Sequence, residues 1–292
     1  MNFLKFKPLY FLISGIVLLA GGWSLVTTGL RPAVDFTGGS LVEYRFSNEV
    51  PSSEKVTEIL NEKGLQASSI QPTKEQGLML RLPPLEQKQV DELKAGLKEK
   101  TSQEVEEVRF ESVGPTLGRE LLIKTGVAVA LAAGFILVYV AWAFKDKKYG
   151  VCAILAMGHD SLVMVGLFSL LGRFFKVEVD TLFVTALLTT LSFSVHDTVV
   201  VYDRIRESVK KYPGVDFGEL ANKALTETMT RSLNNSFTII FMLVALVLLG
   251  GETIKWFAVA LLIGTVSGTY SSPFVAVPLL EIWEKLGNKG KG

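Results

Sequence analysis

Leu9–Phe46 reads LYFLISGIVLLAGGWSLVTTGLRPAVDFTGGSLVEYRF, and it decides the fold because one continuous stretch is written for two different solvents. No charged side chain interrupts residues 9–29. At about 1.5 Å of rise per residue, a helix of that length crosses a hydrocarbon core of roughly 30 Å. Beyond Arg31 the pattern changes, and Ser40–Phe46 alternates between apolar and polar as a strand does. A membrane helix therefore runs directly into a water-facing sheet. Lys5 and Lys7 precede the apolar run as they would in a secretory signal. The run is longer than a signal core and is not followed by a small-x-small cleavage pattern, so a retained helix is expected.

Working outward, the same segregation holds along the chain. Of 292 residues, 49% are hydrophobic and 20% charged, and 28 of the 59 charged residues fall between Arg31 and Glu120. Five further apolar stretches long enough to span lie near 125–144, 150–172, 179–202, 232–250 and 256–283. Lys145, Lys147 and Lys148 fill the connection after the second span, and Lys285, Lys289 and Lys291 follow the sixth. Basic short loops mark the cytoplasmic side, so both termini and residues 203–231 are expected there and residues 31–120 outside. The division expected is residues 1–30 as N-terminus and first helix, 31–120 as an external domain, and 121–292 as helices two to six. The single cysteine, Cys152, excludes an internal disulfide. No polybasic run with interleaved aromatics is present, so nucleic acid is not an expected partner.

Within 31–120 the periodicity reads β-α-β-β-α-β: strands at Ser40–Phe46, Ala67–Gln71, Leu78–Leu82 and Val105–Glu111, helices at Ser52–Glu62 and Leu85–Glu99. This predicts a ferredoxin-like α+β domain inserted between helices one and two of a six-helix membrane protein. The segment holds no histidine or cysteine, which points to a binding or coupling module with no metal or thiol chemistry.

Two stretches carry more than composition. Val34-Asp35-Phe36-Thr37-Gly38-Gly39 enters the first strand, and Ser192-Phe193-Ser194-Val195-His196-Asp197 through Tyr202-Asp203-Arg204-Ile205-Arg206-Glu207 closes the fourth span. With Val113-Gly114-Pro115, Gly118 and His159-Asp160 in the same order, the chain resembles the SecD/SecF family, on its SecF side, over nearly its whole length. The resemblance implies membership of the resistance-nodulation-division superfamily of proton-driven transporters. It further implies a twelve-helix unit with SecD in the bacterial inner membrane, association with the SecYEG channel, and use of the proton-motive force to draw preproteins across. No ATPase activity is implied, and the sequence contains no Gly-x-x-x-x-Gly-Lys-Ser/Thr loop. No cofactor is expected; the partners are SecD, SecYEG, preprotein, protons and membrane lipid.

Ionisable residues inside spans cost several kcal/mol and are functional candidates by default. Asp197 lies six residues before Asp203, about 9 Å along the helix from the cytoplasmic boundary. Thr190, Ser194 and Asp197 make one polar stripe at i, i+4 and i+7. A packing hydrogen bond or proton exchange would each account for it. Arg231, with Asn234, Asn235 and Thr238 on its face, is the natural partner across the connection, or else a basic residue snorkelling at the membrane edge. The family resemblance implicates the aspartate and arginine at these positions in proton transport. Asp160 sits about 15 Å into its helix from Gly150, beside His159, and serves either the proton path or a structural hydrogen bond. His196 stands where the family usually has asparagine. It can titrate near neutral pH, which suits tuning its neighbour or joining the proton relay as well as a structural role, but adjacent residues point about 100° apart on a helix, so direct pairing with Asp197 is not expected. Gly264, Ser267, Gly268 and Ser271 form a small-residue stripe expected to pack toward the partner subunit. Asp216–Thr230 is expected to be an amphipathic helix on the membrane surface. Besides a SecF-type export subunit, the residues leave open a half-size proton-coupled exporter of small molecules and a non-transporting scaffold.

Overall fold

The computed structural model describes residues 3–73, 76–144 and 146–289; Lys145 and Lys291, used above for orientation, lie outside them. The chain divides into two compact units, residues 32–127 and residues 1–31 with 128–292.

In the first unit a short helix α2 (Val34–Thr37) precedes β1 (Gly39–Phe46), α3 (Ser53–Glu62), β2 (Ser69–Thr73), β3 (Gly77–Leu82), α4 (Gln87–Thr101) and β4 (Val105–Val113). The four strands form one antiparallel sheet in the order β2-β3-β1-β4. Strand alternation builds the core: Val42, Tyr44 and Phe46 of β1 and Leu78, Leu80 and Leu82 of β3 point to one face, where Val56, Ile59 and Leu60 of α3 and Val90, Leu93 and Leu97 of α4 cover them. Ser52 caps α3 by accepting from the Lys55 amide, and a reciprocal box between Glu86 and Gln89 starts α4.

Gly38 and Gly39 make the turn into β1 with φ of +71° and +121°. Gly38 has a second constraint: a Cβ there would stand 2.7 Å from Pro115 Cα. A Cβ on Gly118 would come within 2.8 Å of the Gly38 amide nitrogen, so the Thr37-Gly38-Gly39 turn and the Gly114-Pro115…Gly118 turn pack backbone on backbone.

Six helices are long and apolar enough to cross a membrane: Phe3–Thr27, Pro115–Ala143, Lys147–Phe175, Thr181–Lys211, Phe217–Leu249 and Ile254–Gly287. The first consists of a 3-10 turn followed by α1 (Lys7–Thr27). The next four are α5 (Pro115–Ala143), α6 (Lys147–Phe175), α7 (Thr181–Lys211) and α8 (Phe217–Leu249). The last is α9 (Glu252–Ser271), a π-helical turn (Ser272–Ala276) and α10 (Val277–Lys289). Pro273 causes that turn: it has no N–H and its ring crowds the preceding carbonyls, so the helix widens its register without breaking. Asp146, Asp180 and Asp216 cap α6, α7 and α8.

The connection expected over residues 203–231 is smaller than the charge pattern suggests. α7 continues to Lys211 and α8 begins at Phe217. The expected surface helix at Asp216–Thr230 is corrected: it is the first half of α8, and Ala221, Ala224 and Leu225 pack into the helical core with Tyr149, Tyr202 and Leu280. Neither glycine nor proline falls between Glu219 and Leu249, and Thr226 and Thr238 donate back to the carbonyls of Asn222 and Asn234, so the helix has nothing to end it.

Candidate functional site

Asp160 on α6 is the centre of the helical unit. It is 4% exposed, and three hydroxyls donate to its carboxylate: Ser194 of α7 at 2.6 Å, Ser267 of α9 at 2.6 Å and Ser271 of α9 at 2.5 Å. His159 Nδ1 stands 3.0 Å from Oδ1 of the same group. His159 Nε2 is 3.1 Å from Ser14 Oγ of α1, so one carboxylate and its neighbour connect α1, α6, α7 and α9. Three hydroxyl donors and the imidazole facing it offset the negative charge that burial would otherwise make prohibitive.

The approach of α9 to α7 makes this possible. A Cβ on Gly264 would fall inside Thr190, and one on Gly268 would meet Ser194 at 3.4 Å. The small-residue stripe, expected to face a partner subunit, is instead used inside this chain, with its glycines against α7 and its serines on Asp160. On the far side α1 meets α6 at Gly21 and Gly166, where a Cβ on either would stand 2.8 Å from the other's Cα.

Asp197 is buried on α7, 5% exposed, and its one hydrogen-bond partner among the described residues is Ser232 of α8. The expected contact with Arg231 is not made within this chain. Arg231 is exposed, and the side chain that reaches Asp197 belongs to the next residue, because successive positions on α8 point about 100° apart. His196 is exposed and forms no hydrogen bond with Asp197; it lines a concavity of about 420 Å³ with Phe135, Ile136 and Tyr139 of α5. The structure thus joins His159 to Asp160, and it keeps Arg231 and His196 near enough to act on Asp197 by charge, with no hydrogen bond to either. Beyond Asp197 the polar seam continues through Thr198–Ser272 at 2.9 Å and the Tyr202 hydroxyl on the Ala276 carbonyl at 2.8 Å.

Sequence reasoning missed Ser14, Ser232, Tyr270 and Glu281. Ser14 is one serine in an apolar run and carried no signal. Glu281 is 4% exposed and pairs with Lys7 at 3.1 Å and Lys285 at 2.5 Å; an acid inside a span was the signal to follow. Among the described residues no group of three or more His, Cys, Asp or Glu side chains is arranged to hold a metal ion.

Six helices long and apolar enough to span, paired through glycines and with carboxylates buried between them, together with a small antiparallel sheet, define a multi-pass membrane protein. Comparison with known proteins gives the family. Residues 93–286 match the protein export membrane protein SecD/SecF C-terminal family, and residues 23–50 match the SecD/SecF GG motif. The protein translocase subunit SecF of Thermobaculum terrenum is 43% identical over 97% of this chain and 94% of its own length. The protein translocase subunit SecDF of Thermus thermophilus is 34% identical over 88% of this chain and 35% of its own. A crystal structure of SecDF, a translocon-associated membrane protein from Thermus, superimposes with a TM-score of 0.85 at 32% identity, over 98% of this chain and 39% of that one. The chain belongs to the SecD/SecF family, with SecF subunits among its full-length relatives; it spans about two fifths of the solved SecDF chain.

Proposed function

We propose that this chain is a SecF-type subunit of the Sec export machinery that works with SecD and the SecYEG channel, using the proton-motive force to promote preprotein translocation. The observation that carries this is the contrast between two buried carboxylates. Asp160 has three hydroxyl donors and the His159 ring against it, whereas Asp197 has one hydroxyl, from Ser232. A carboxylate with so few internal partners is poised to exchange a proton or a partner, since low dielectric makes its charge state expensive to leave uncompensated.

Arg231, Asn234, Asn235 and Thr238 are all exposed on α8. In a spanning helix such a face turns toward other helices or water, not lipid, and this supports a second six-helix half, SecD, covering it. Residues 31–120 are assigned as a ferredoxin-like domain on the extracytoplasmic side, between helices one and two, with both termini cytoplasmic in the bacterial inner membrane. The strand order β2-β3-β1-β4 supports that assignment. No enzymatic activity is assigned to the chain.

Asp197→Asn keeps the Ser232 hydrogen bond but cannot take up or release a proton. It is expected to assemble with SecD normally and to lose the component of export that depends on the proton-motive force, measured with a preprotein in energised vesicles. Full export by this variant would sink the proton-coupled function and leave a scaffold.

A further inference from the structure

His159 and Asp160 are tied to α1 and α9 by hydrogen bonds whose directions turn on one hydrogen, that of the Ser14 hydroxyl. The Tyr10 carbonyl can only accept, so the Tyr270 hydroxyl donates its one hydrogen there, at 2.7 Å. Toward Ser14 Oγ the Tyr270 oxygen can then only accept. Ser14 has one hydrogen for two neighbours, the Tyr270 oxygen at 3.4 Å and His159 Nε2 at 3.1 Å; where that hydrogen goes to Tyr270, Ser14 accepts from Nε2, and Nε2 is then a protonated nitrogen. At the other end, Ser194, Ser267 and Ser271 all donate into Asp160. In that arrangement one further proton belongs in the 3.0 Å gap between Nδ1 and Oδ1. With that proton the gap is a hydrogen bond, whichever atom carries it. Without it, two lone pairs face each other.

We propose that the His159–Asp160 pair binds one exchangeable proton and that its occupancy clasps α1 against α6 and α9. When the proton leaves to water, the neutral imidazole keeps its bond to Asp160 only by moving its remaining hydrogen to Nδ1. Nε2 then becomes an acceptor, Ser14 must donate to it, and the Ser14–Tyr270 link, the longest in the run, opens. Room for the change exists: Ser14, His159, Ser267 and Tyr270 are among the residues that line a cavity of about 350 Å³. The other titratable groups around the pair are Tyr10 on α1, Tyr270 on α9 and Asp197 on α7. Among the described residues no lysine or arginine pairs with Asp160 or His159; Lys7 of α1 is held by Glu281.

Proton-coupled export would give this clasp its use, and the inference rests on that function, but its test does not depend on export. The chain has two histidines, so nitrogen-15 histidine NMR of the full chain in lipid nanodiscs resolves each ring, and His196→Gln assigns them. As the pH is raised, His159 is expected to pass from an Nε2-protonated form to a neutral Nδ1-protonated form. Asp160→Asn is expected to abolish that step. Tyr270→Phe removes the phenol that holds the Ser14 hydrogen, so the deprotonated state breaks nothing, and proton binding by the pair is expected to weaken about tenfold, the effect of one hydrogen bond. A His159 ring that keeps one tautomer throughout, or that titrates identically in Tyr270→Phe, overturns the clasp, and Tyr270→Phe decides the matter even where Asp160→Asn does not fold. Asp197→Asn should leave the His159 step in place, so loss of the export function and loss of the clasp are read separately.

Discussion

Tyr44 shows what a single residue contributes once its surroundings are fixed. It is fully buried under α4, and its hydroxyl donates to the Val90 carbonyl at 2.9 Å. Burial first, then the charges of Glu107 and Asp91, push its phenol well above the ordinary tyrosine value. A folded-state value raised above the unfolded one of about 10 means that the stabilisation is complete below pH ~10 and lost as pH rises past it. Pulse proteolysis of the sheet unit in urea should therefore show a midpoint that falls between about pH 8 and 10.5, and falls less in Tyr44→Phe, which sacrifices about 1 kcal/mol of hydrogen bonding at neutral pH. An equal fall in both proteins would remove Tyr44 from the account. The alternation that places Tyr44 inward was legible in Ser40–Phe46, but its partner carbonyl was not, because that contact depends on where α4 lies. The buried carboxylates follow the same division: Asp160 and Asp197 announced themselves as acids within apolar runs, while Ser14 and Ser232, their links to α1 and α8, are ordinary in sequence.

At the scale of elements, α7 and α9 are held by close approach and not by long side chains. Gly264 faces Thr190 with no room for a Cβ, which brings Ser267 and Ser271 within reach of Asp160. Gly264→Val is expected to push α9 from α7, cost about 1–3 kcal/mol from overpacking, and weaken the serine contacts with Asp160, lowering the thermal stability of the full chain in detergent. Gly126→Val, where nothing lies within 4 Å, is the control and should change stability little. Equal behaviour of the two would show that the helices are not packed as described. The stripe itself was visible at its three- and four-residue spacing. Its destination was not, because spacing identifies a face and says nothing of which helix receives it. The long α8 was misread for a related reason: Phe217, Leu220, Ala224 and Leu225 make one apolar stripe, and a membrane surface or a helical core can cover such a stripe equally well.

For the whole molecule, two units with separate cores stand in different solvents. The sheet unit owes its stability to burial from water, whereas helices in lipid or detergent keep their backbone hydrogen bonds satisfied internally even when urea weakens the hydrophobic effect. Hydrogen exchange in rising urea is expected to open residues 39–113 as one cooperative step while residues 150–172 remain protected. A single transition over both regions would show that the units do not fold separately. The sequence by itself determined the six apolar runs, the order of strands and helices and the acids within the spans. These follow from hydropathy and periodicity, which are properties of neighbours along the chain. Only the tertiary structure decided that Asp160 gathers three hydroxyls and the His159 ring, that Asp197 takes its hydrogen bond from Ser232 and not from Arg231, and that the glycine–serine stripe turns inward. Each depends on the rotation and register of one helix against another, set by backbone approach at Gly21–Gly166 and Gly264–Thr190 between residues far apart in the chain.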